Sequence, residues 1–429
     1  MEPIPFLRGL FDACVAHAQP GAAIARHLPA PPKGRTVVIG AGKASAAMAR
    51  AFDALWPKDL PLTGVVVTRY GYVPASAAPV PGRIAIREAA HPVPDGSGMA
   101  AVAEIREAVA SLSADDLVVA LISGGGSSLL PSPLRDGDLR AEQRLNDQLL
   151  RSGASIRDMN VVRRHLSRLK GGRLATLCHP ARVVTLAMSD VPGDRLEDIA
   201  SGPTVADPST CEQALHIIER YGIEVDGDEL QALRTGALET PKPGAAGFSR
   251  DKAHVIARPA SALRAAAELA LSQGVACHVL GDAIEGESRD VAVVHAGIAK
   301  AARLGHAFCT PPCVILSGGE TTVTLPRDPS FSGSGGRCSE FALAAALHLD
   351  GEPQVWALAA DTDGIDGRGA AAGAFITPST LADARALGLD AARSLGEHDS
   401  GTFFQRLDAQ VTSGPTHTNV NDFRAILIL

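Results

Sequence analysis

The amino-acid sequence predicts an α/β fold with two domains, each a largely parallel sheet covered by helices, and an active site in the interdomain cleft. Short runs that are apolar throughout alternate with stretches of helical pattern, and such runs suit parallel strands covered on both faces. Candidate helices span residues 98–111, 262–272 and 339–349. The apolar runs are, in chain order, TVVIG, GVVVT, LVVALIS, RVVTLAMS, HVIAR, CHVLG, CVILS and VWALAAD.

A change in composition marks the predicted domain boundary. The chain has 429 residues, which is long enough for two large α/β domains. Proline, glycine and serine interrupt the pattern in LETPKPGAAGFSRDK, residues 238–252. We therefore expect an N-terminal domain over residues 1–240 and a C-terminal domain over residues 250–429.

Composition excludes several classes of function. The sequence is 46% apolar and 20% charged, so it can bury a sizeable core. A formal charge of −7 and a pI near 6.0 provide no basic surface for nucleic acid. The N-terminus lacks a signal-peptide pattern and no run of about 18 uncharged apolar residues is present, so we expect a cytoplasmic protein without a membrane partner. The seven scattered cysteines are typical of buried apolar residues in a reducing compartment.

The loop GAGKAS, after the first apolar run, has the composition of a phosphate-binding turn. Glycines let a phosphate approach the backbone, and the following helix presents N–H groups at the positive end of its dipole. The loop does not match a dinucleotide fingerprint, since Ser45 replaces the third glycine and the next strand ends in Arg69 rather than an acid. It does not match a P-loop, because Ala44 follows Gly42 and Lys43 where Ser or Thr is required. A phosphate role and a plain strand-to-helix turn both stay open.

A second glycine-rich loop, SGGGSS, follows the run LVVALI. Its glycine amides and hydroxyls form an uncharged nest that suits a carboxylate or a phosphate. A serine hydrolase is the weaker hypothesis, because the loop lacks the G-x-S-x-G nucleophile elbow. Ligands of open α/β sheets bind beyond the carboxyl ends of strands, which is where both loops are predicted to lie. The candidate binding residues are Gly42, Ser123, Gly124, Gly125, Gly126, Ser127 and Ser128.

Two carboxylates follow the run RVVTLAMS in a segment rich in proline and glycine. A single acid at a strand end often only caps a helix. Two acids, Asp190 and Asp194, outside a helix-forming segment suit a cation or a substrate hydroxyl better.

Further charged residues lie on glycine-rich loops in the second half of the chain. Glu320 follows one glycine turn and Arg337 follows another, and an ordinary salt bridge between them is the plain alternative to a catalytic pair. Asp361 lies in AADTDGIDG, which is not an EF-hand because the twelfth position is Ala372 rather than Glu. Asn421 lies in SGPTHTNVND, just before a final apolar run, where it could also serve only the local backbone.

Together these motifs resemble one family, the class II glycerate kinases, whose C-terminal part is the MOFRL domain, here about residues 310–429. The motifs span nearly the whole chain in the order of the family, and residues 251–303 are the least distinctive part. The motifs are VIGAGKAS, HPVPDGSG, SGGGSSLL, SGASIRDMNVVRRHLSRLKGGRLA, SDVPGDRLEDIASGPTVADPST, LSGGETTVT, GRCSEFALAAA, AADTDGIDG and SGPTHTNVND.

The resemblance implies transfer of the γ-phosphoryl group of ATP to a hydroxyl of D-glycerate, with Mg²⁺ as cofactor and 2-phosphoglycerate as the expected product. Such a transfer needs positioned cations and carboxylates around a transition state that spreads charge. On matching positions it implies that Lys43 and Arg337 stabilise charge. It implies that Asp190 and Glu320 orient the hydroxyl or the metal, and that the loop SGGGSS holds an anionic group such as the glycerate carboxylate. The remaining candidates are the metal ligands Asp190 and Asp194 and two further substrate- or phosphate-binding residues, Asp361 and Asn421.

Two other functions stay open at this point. Proteins that look like this one have also carried the name hydroxypyruvate reductase, which would be an NAD(P)H-dependent oxidoreductase. The missing third glycine and the missing ribose acid argue against it. A non-catalytic sugar-acid-binding protein would need the cleft but not a cluster of both cations and carboxylates. A homodimer is possible, and the sequence does not determine the oligomeric state.

Overall fold

The apolar runs form strands in a computed structural model of the chain, which describes residues 1–74, 82–306, 308–325 and 332–429. The strands are β1 Thr36–Ala41, β2 Leu62–Arg69, β3 Ala85–Ala89, β4 Leu117–Ile122, β5 Arg182–Met188, β6 Lys252–Ala257, β7 Ala276–Gly281, β8 Gly286–Glu287, β9 Cys313–Gly319, β10 Thr321–Thr322, β11 Val355–Asp361, β12 Gly373–Ile376, β13 Gln410–Val411 and β14 Asp422–Ile428.

The helices lie between these strands and at the start of the chain. They are α1 Pro3–His17, α2 Pro20–His27, α3 Ser45–Leu55, α4 Gly96–Ala108, α5 Gly126–Leu129, α6 Leu139–Arg151, α7 Ile156–His165, α8 Arg173–Cys178, α9 Cys211–Tyr221, α10 Gly227–Arg234, α11 Pro259–Ser272, α12 Ser288–Arg303, α13 Arg337–Leu349, α14 Thr380–Ala386, α15 Ala391–Gly396 and α16 Ser400–Arg406. The predicted helices at 98–111, 262–272 and 339–349 correspond to α4, α11 and α13. Within the described ranges, no helix has both the length and the apolar character that a membrane span requires.

The chain divides into two compact units. The N-terminal unit consists of Pro20–Asp190 and Asp194–Ile256, and the C-terminal unit consists of Met1–Gln19, Val191–Gly193 and Ala257–Leu429. This division differs from the predicted ranges in two respects. It falls after residue 256 rather than between residues 240 and 250, because β6 completes the first sheet. Two segments of the predicted N-terminal range, Met1–Gln19 with the first helix and Val191–Gly193, belong to the C-terminal unit.

The first sheet has the strand order β3-β2-β1-β4-β5-β6, and β1 to β5 pair in parallel. The chain builds β2 and β3 on one side of β1 and then places β4 on the other side, so the strand order reverses between β1 and β4. Ligands of such sheets bind beyond the carboxyl ends of the strands at this reversal. Ala41 lies opposite Ile122, so the loops after β1 and β4 begin at the same level.

The second sheet has the order β13-β12-β11-β14-β9-β7 and is mixed. β7 and β9 are parallel, whereas β14 is antiparallel to both of its neighbours, β9 and β11. A short parallel pair, β8 and β10, forms a separate two-stranded sheet. The α/β class is confirmed, but the prediction of a largely parallel second sheet is wrong. The apolar runs indicate burial on both faces, and they do not indicate strand direction.

Helix α1 packs against α11, β11 and β14 of the C-terminal unit. The rings of Phe11 and Phe423 meet edge to face with their centroids 5.9 Å apart. The apolar residues of α1 recur every three or four positions, which places them on one face of the helix. The buried residues of this face are Phe6, Leu7, Leu10, Phe11 and Cys14. The N-terminal helix therefore contributes to the core around the second sheet.

We expect the substitution Phe11→Ala to lower the free energy of unfolding by about 3–5 kcal/mol, because it removes a fully buried ring and leaves a cavity. Phe308→Ala is the matched control in the same unit, since that side chain is 61% exposed. Its effect should stay within about 0.5 kcal/mol. Urea unfolding followed by circular dichroism measures both changes. A loss below about 1 kcal/mol for Phe11→Ala would mean that α1 is not part of this core.

Candidate active site

The two predicted glycine-rich loops of the N-terminal unit lie side by side at the reversal of strand order. GAGKAS follows β1 and SGGGSS follows β4. The backbone N–H of Lys43 donates to the carbonyl oxygen of Gly124 at 2.9 Å. The backbone N–H of Ala44 donates to Ser123 Oγ at 3.0 Å. The backbones of the two loops are therefore bonded directly to each other.

A side chain at Gly42 would prevent this contact. The φ of Gly42 is +137°, a conformation that L-residues with a side chain rarely adopt. A Cβ at Gly42 would lie 2.1 Å from Ser123 Oγ and 2.4 Å from the carbonyl oxygen of Ser123. Glycine is required both for the conformation and for the space, so the close approach fixes the backbone position of Lys43.

Lys43 lies beside a glycine of the second loop and a histidine. A Cβ at Gly125 would lie 3.4 Å from Lys43 Cγ and 2.9 Å from Nε2 of His91. The hydroxyl of Thr68 donates to the carbonyl oxygen of Lys43 at 3.2 Å. Helix α3 begins two residues after Lys43, and the positive end of a helix dipole favours an anion over a cation. A lysine at this position is stabilised when an anion such as a phosphate lies next to it.

A hydroxyl and amide network connects the loop after β4 with the segment that follows β5. Ser127 Oγ lies 2.9 Å from Ser201 Oγ, and the Ser201 hydroxyl donates to Asn160 Oδ1 at 2.9 Å. Ala200 and Ser201 have φ values of +52° and +59°. Such conformations cost about 1–3 kcal/mol each and cluster at functional sites. His91, Asn160 and Ser201 were not among the predicted residues, because neither contacts nor backbone strain are visible in the motifs that contain them.

The predicted carboxylates Asp190 and Asp194 follow β5. Because β5 is parallel to β4, the end of β5 lies at the same edge of the sheet as the two glycine-rich loops. Asp190 comes two residues after Met188, the last residue of the strand. Asp194 has a φ of +54°, which is uncommon for a residue with a side chain. The carboxylates are oxygen donors of the kind that Mg²⁺ prefers.

In the C-terminal unit, three carboxylates bind one guanidinium. Arg337 is the first residue of α13, and its Nε donates to Asp422 Oδ1 at 2.6 Å. Its Nη1 donates to Glu320 Oε1 at 2.7 Å, and its Nη2 donates to Asp361 Oδ2 at 3.0 Å. We call these four residues the arginine cluster. The structure thus places the predicted residues Glu320, Arg337 and Asp361 in direct contact.

Strand direction explains why these three acids meet. Asp361 is the last residue of β11, Glu320 follows the last residue of β9, and Asp422 is the first residue of β14. Because β14 is antiparallel to both neighbours, its start lies at the same edge as their ends. Asp422 was not predicted, since its place at this edge depends on the direction of β14. Its position beside Asn421 in SGPTHTNVND was the one signal in the sequence.

Burial and neighbouring charges shift the pKa values of Arg337 and Asp422 in opposite directions. Burial lowers the pKa of Arg337, but the three carboxylates outweigh this effect and raise the pKa well above its usual value. Burial raises the pKa of Asp422, whereas Arg337 and Arg424 hold this pKa below its usual value. With all groups ionised, the three carboxylates of the cluster and the guanidiniums of Arg337 and Arg424, which also pairs with Asp422, carry one net negative charge. The side chain of Glu320 is 40% exposed, so the cluster presents a carboxylate next to a fixed cation.

The carboxylate of Asp366 binds the N-terminal end of α13, the helix that carries Arg337. This carboxylate accepts the backbone N–H groups of Cys338 at 3.0 Å and of Ser339 at 2.8 Å, and the Ser339 hydroxyl at 2.7 Å. A carboxylate here satisfies N–H groups that the helix itself leaves unpaired, and the helix dipole favours it. Burial nevertheless raises the pKa of Asp366 to about 6. Asp366 therefore positions Arg337 through the backbone of α13.

Asn421 contributes to the arginine cluster through its backbone. Its φ is +64°, and its carbonyl oxygen accepts the N–H of Thr362 at 3.0 Å and the Thr362 hydroxyl at 2.6 Å. These bonds join the loop after β11 to the start of β14, between Asp361 and Asp422. The structure therefore places the predicted residue Asn421 next to the cluster and gives it a role in holding two of the acids.

The raised pKa of Asp366 predicts a pH-dependent contribution to stability. The pKa is about 6 in the folded state, above the ordinary value of 3.8, so the folded state binds the proton more tightly. The contribution of this group to the free energy of unfolding therefore falls as the pH rises from about 4 to about 6. We expect the stability of the wild type relative to Asp366→Asn to decline across this window. Urea unfolding of both proteins near pH 4 and pH 7 tests it, and a difference independent of pH would contradict the shift.

Comparison with known proteins finds relatives along the whole chain. Residues 6–234 match the family described as Domain of unknown function (DUF4147), and residues 313–422 match the MOFRL family. A protein from Agrobacterium vitis named "Putative hydroxypyruvate reductase" is 52% identical over 98% of this chain and 94% of its own length. The D-glycerate 2-kinase of Thermotoga maritima is 38% identical over 96% of this chain and 94% of its own length.

The fold is also that of a solved structure. The crystal structure of the glycerate kinase from Thermotoga maritima matches with a TM-score of 0.84 at 36% sequence identity, and the match covers 99% of both chains. Similarity in sequence and in structure therefore extends over nearly the full length. This chain belongs to the glycerate kinase family, and its own sequence combines a DUF4147 match with a MOFRL match.

Proposed function

We propose that the protein transfers the γ-phosphoryl group of ATP to a hydroxyl of D-glycerate and forms 2-phosphoglycerate. The arginine cluster is the observation that carries this proposal, because it fixes a permanent cation among carboxylates at one sheet edge. Phosphoryl transfer depends on positioned charge and needs little covalent chemistry from the protein. The relatives named glycerate 2-kinase and glycerate kinase support the substrate and the reaction class.

In the N-terminal unit, Lys43 would stabilise negative charge on the nucleotide phosphates. Its ammonium belongs to a loop that precedes a helix N-terminus, and the N–H groups there favour the same anion. The hydroxyls and glycine amides of residues 123–128 would hold the glycerate carboxylate. Asp190, at the same sheet edge, would accept a hydrogen bond from the reacting hydroxyl and orient it.

In the C-terminal unit, Arg337 would stabilise the charge that develops on the phosphoryl oxygens. The guanidinium is already held in place by three carboxylates, so it does not need to reorganise during the reaction. Such preorganisation is the condition for electrostatic catalysis. Glu320 is the most exposed acid of the arginine cluster and would orient a substrate hydroxyl or the metal. Asp361 and Asn421 would hold the guanidinium and the strand ends in place.

The acids of the candidate site fit Mg²⁺ by their chemistry. Asp190 and Asp194 offer only oxygen donors, the ligands that this hard cation takes, and they follow β5 at the sheet edge where the glycine-rich loops begin. These two residues would hold the ion. When bound there, Mg²⁺ would supply positive charge that neutralises part of the charge of the phosphates.

Hydroxypyruvate reduction is the second candidate function. Two observations favour it, the strand order of the first sheet, which is that of dinucleotide-binding folds, and the name of the relative from Agrobacterium vitis. The loop after β1 opposes it, because Ser45 replaces the third glycine. The end of β2 also opposes it, since Arg69 stands there instead of an acid for the ribose.

A direct comparison of the two reactions tests the proposal. We expect ADP to form only when D-glycerate, ATP and a divalent cation are all present, with excess EDTA abolishing turnover. Phosphorus NMR of the product should show 2-phosphoglycerate. In parallel, hydroxypyruvate with NADH or NADPH should show no oxidation of the nucleotide. Reductase turnover without ADP formation would replace the proposal, and full kinase activity in EDTA after dialysis would remove the metal from it.

We expect Lys43→Ala to reduce kcat/KM for glycerate phosphorylation by roughly 10² or more without lowering the melting temperature. A cation near a helix N-terminus is disfavoured by a few tenths of a kcal/mol, so loss of the ammonium should not destabilise the fold. Lys43→Arg should restore activity only in part, because the guanidinium spreads the charge. Lys33→Ala, at an exposed position of the same unit, is the control and should match the wild type. An alanine variant within about threefold of wild type would return GAGKAS to a plain strand-to-helix turn.

A further inference from the structure

Three side chains of metal-ligand type converge in the N-terminal unit, and none of them belongs to the glycine-rich loops. His165 is the last residue of α7, Cys211 is the first residue of α9, and Glu239 follows α10. One ligand atom of each, a ring nitrogen, a thiol sulfur and a carboxylate oxygen, lies within 4.8 Å of the other two. Among the residues that the structure describes, no other group of three His, Cys, Asp or Glu side chains has such spacing.

The two ring nitrogens of His165 have different partners. Nδ1 lies 2.9 Å from the carbonyl oxygen of Val161, so it carries the N–H and donates. In a neutral imidazole with the N–H on Nδ1, Nε2 is the nitrogen available to a metal. Nε2 lies 3.2 Å from Glu239 Oε1. A cation placed between these two atoms could bond to both.

The distance between His165 Nε2 and Glu239 Oε1 suits a metal ion with tetrahedral coordination. Two ligands about 2.1 Å from a zinc ion in tetrahedral geometry are about 3.4 Å apart, close to the separation of Nε2 and Oε1. A carbonyl acceptor on Nδ1, here that of Val161, is the usual partner that orients a metal-binding histidine. The side chain of Glu239 is 37% exposed, which gives an ion access to the site and leaves room for a water ligand.

Lys242 is the group that a metal would have to displace. Its Nζ lies 2.5 Å from Glu239 Oε1 and balances the carboxylate in this structure. The side chain of Lys242 is 35% exposed, so the ammonium can move into solvent. A divalent ion would supply two positive charges where the ammonium of Lys242 supplies one. The thiolate of Cys211 and the carboxylate of Glu239 would together neutralise the ion.

We propose that His165, Cys211 and Glu239 form a binding site for a zinc-class divalent cation, separate from the Mg²⁺ of the proposed reaction. Nitrogen, thiolate and a single carboxylate oxygen form a donor set of Zn²⁺, whereas Mg²⁺ selects oxygen donors. On binding, the metal–sulfur bond forms as the Cys211 thiol loses its proton to solvent, and Lys242 leaves the carboxylate. The bound ion would connect α7, α9 and the segment after α10, so it should stabilise the N-terminal unit.

Titration of the purified full-length protein with Co²⁺ and with Zn²⁺ tests the site. Co²⁺ should produce a thiolate-to-cobalt charge-transfer band in the near ultraviolet that saturates at one ion per chain. Because the proposed Mg²⁺ ligands include no sulfur, ions bound there cannot produce this band. Zn²⁺ should abolish the band by displacement and should raise the melting temperature.

Three variants make the test specific. Cys211→Ser should abolish the charge-transfer band, whereas Cys277→Ser, which alters a partly buried thiol of the C-terminal unit, should retain it. Lys242→Met should tighten Co²⁺ binding on the order of tenfold, because it removes the competing cation. Absence of the band in folded wild-type protein, or a band of full intensity in Cys211→Ser, would overturn the proposal.

Discussion

The candidate active site depends first on the three ion pairs of one arginine. The planar fork of Arg337 has a donor for each of Asp422, Glu320 and Asp361, and no other side chain type could serve three acids in this way. The placement of β14 between β9 and β11 brings the acids to one edge, and Asp366 fixes the first turn of α13. The mixed sheet is therefore a condition for the cluster, because a parallel β14 would start at the opposite edge.

In the N-terminal unit, a different constraint positions the loops after β1 and β4. This constraint is the close approach of their two backbones. Gly42 lies where any Cβ would overlap Ser123, so the loops after β1 and β4 can bond to each other only with glycine there. Backbone strain at Ala200 and Ser201 lies in the adjoining network. Strain of this kind persists only where the surrounding structure determines it, and it is typical of sites that position a ligand.

Elements with strong periodicity could be predicted from the sequence, and contacts between distant segments could not. The eight apolar runs all became strands, and the GAGKAS and SGGGSS loops lie together because parallel strands bring their carboxyl ends to one edge. Glu320 and Arg337 could be paired from their glycine turns. The site role of Asp422 and the capping role of Asp366, which lies on the AADTDGIDG loop, could not be predicted, since they depend on strand direction and on helix capping by a remote residue. His165, Cys211 and Glu239 are separated by tens of residues, so their convergence is likewise a product of the fold.

The kinetic effect of Arg337→Lys tests the central claim most directly, that a guanidinium fixed by three carboxylates is the charge that assists phosphoryl transfer. Lysine keeps the positive charge but cannot bind three acids with fixed geometry. Arg303→Lys is the control. Arg303 is the last residue of α12, and it pairs with Glu352. The account predicts that kcat/KM for ATP-dependent glycerate phosphorylation falls by roughly 10² in Arg337→Lys while the protein stays folded and the control matches wild type. Activity of Arg337→Lys within about threefold of wild type would contradict it.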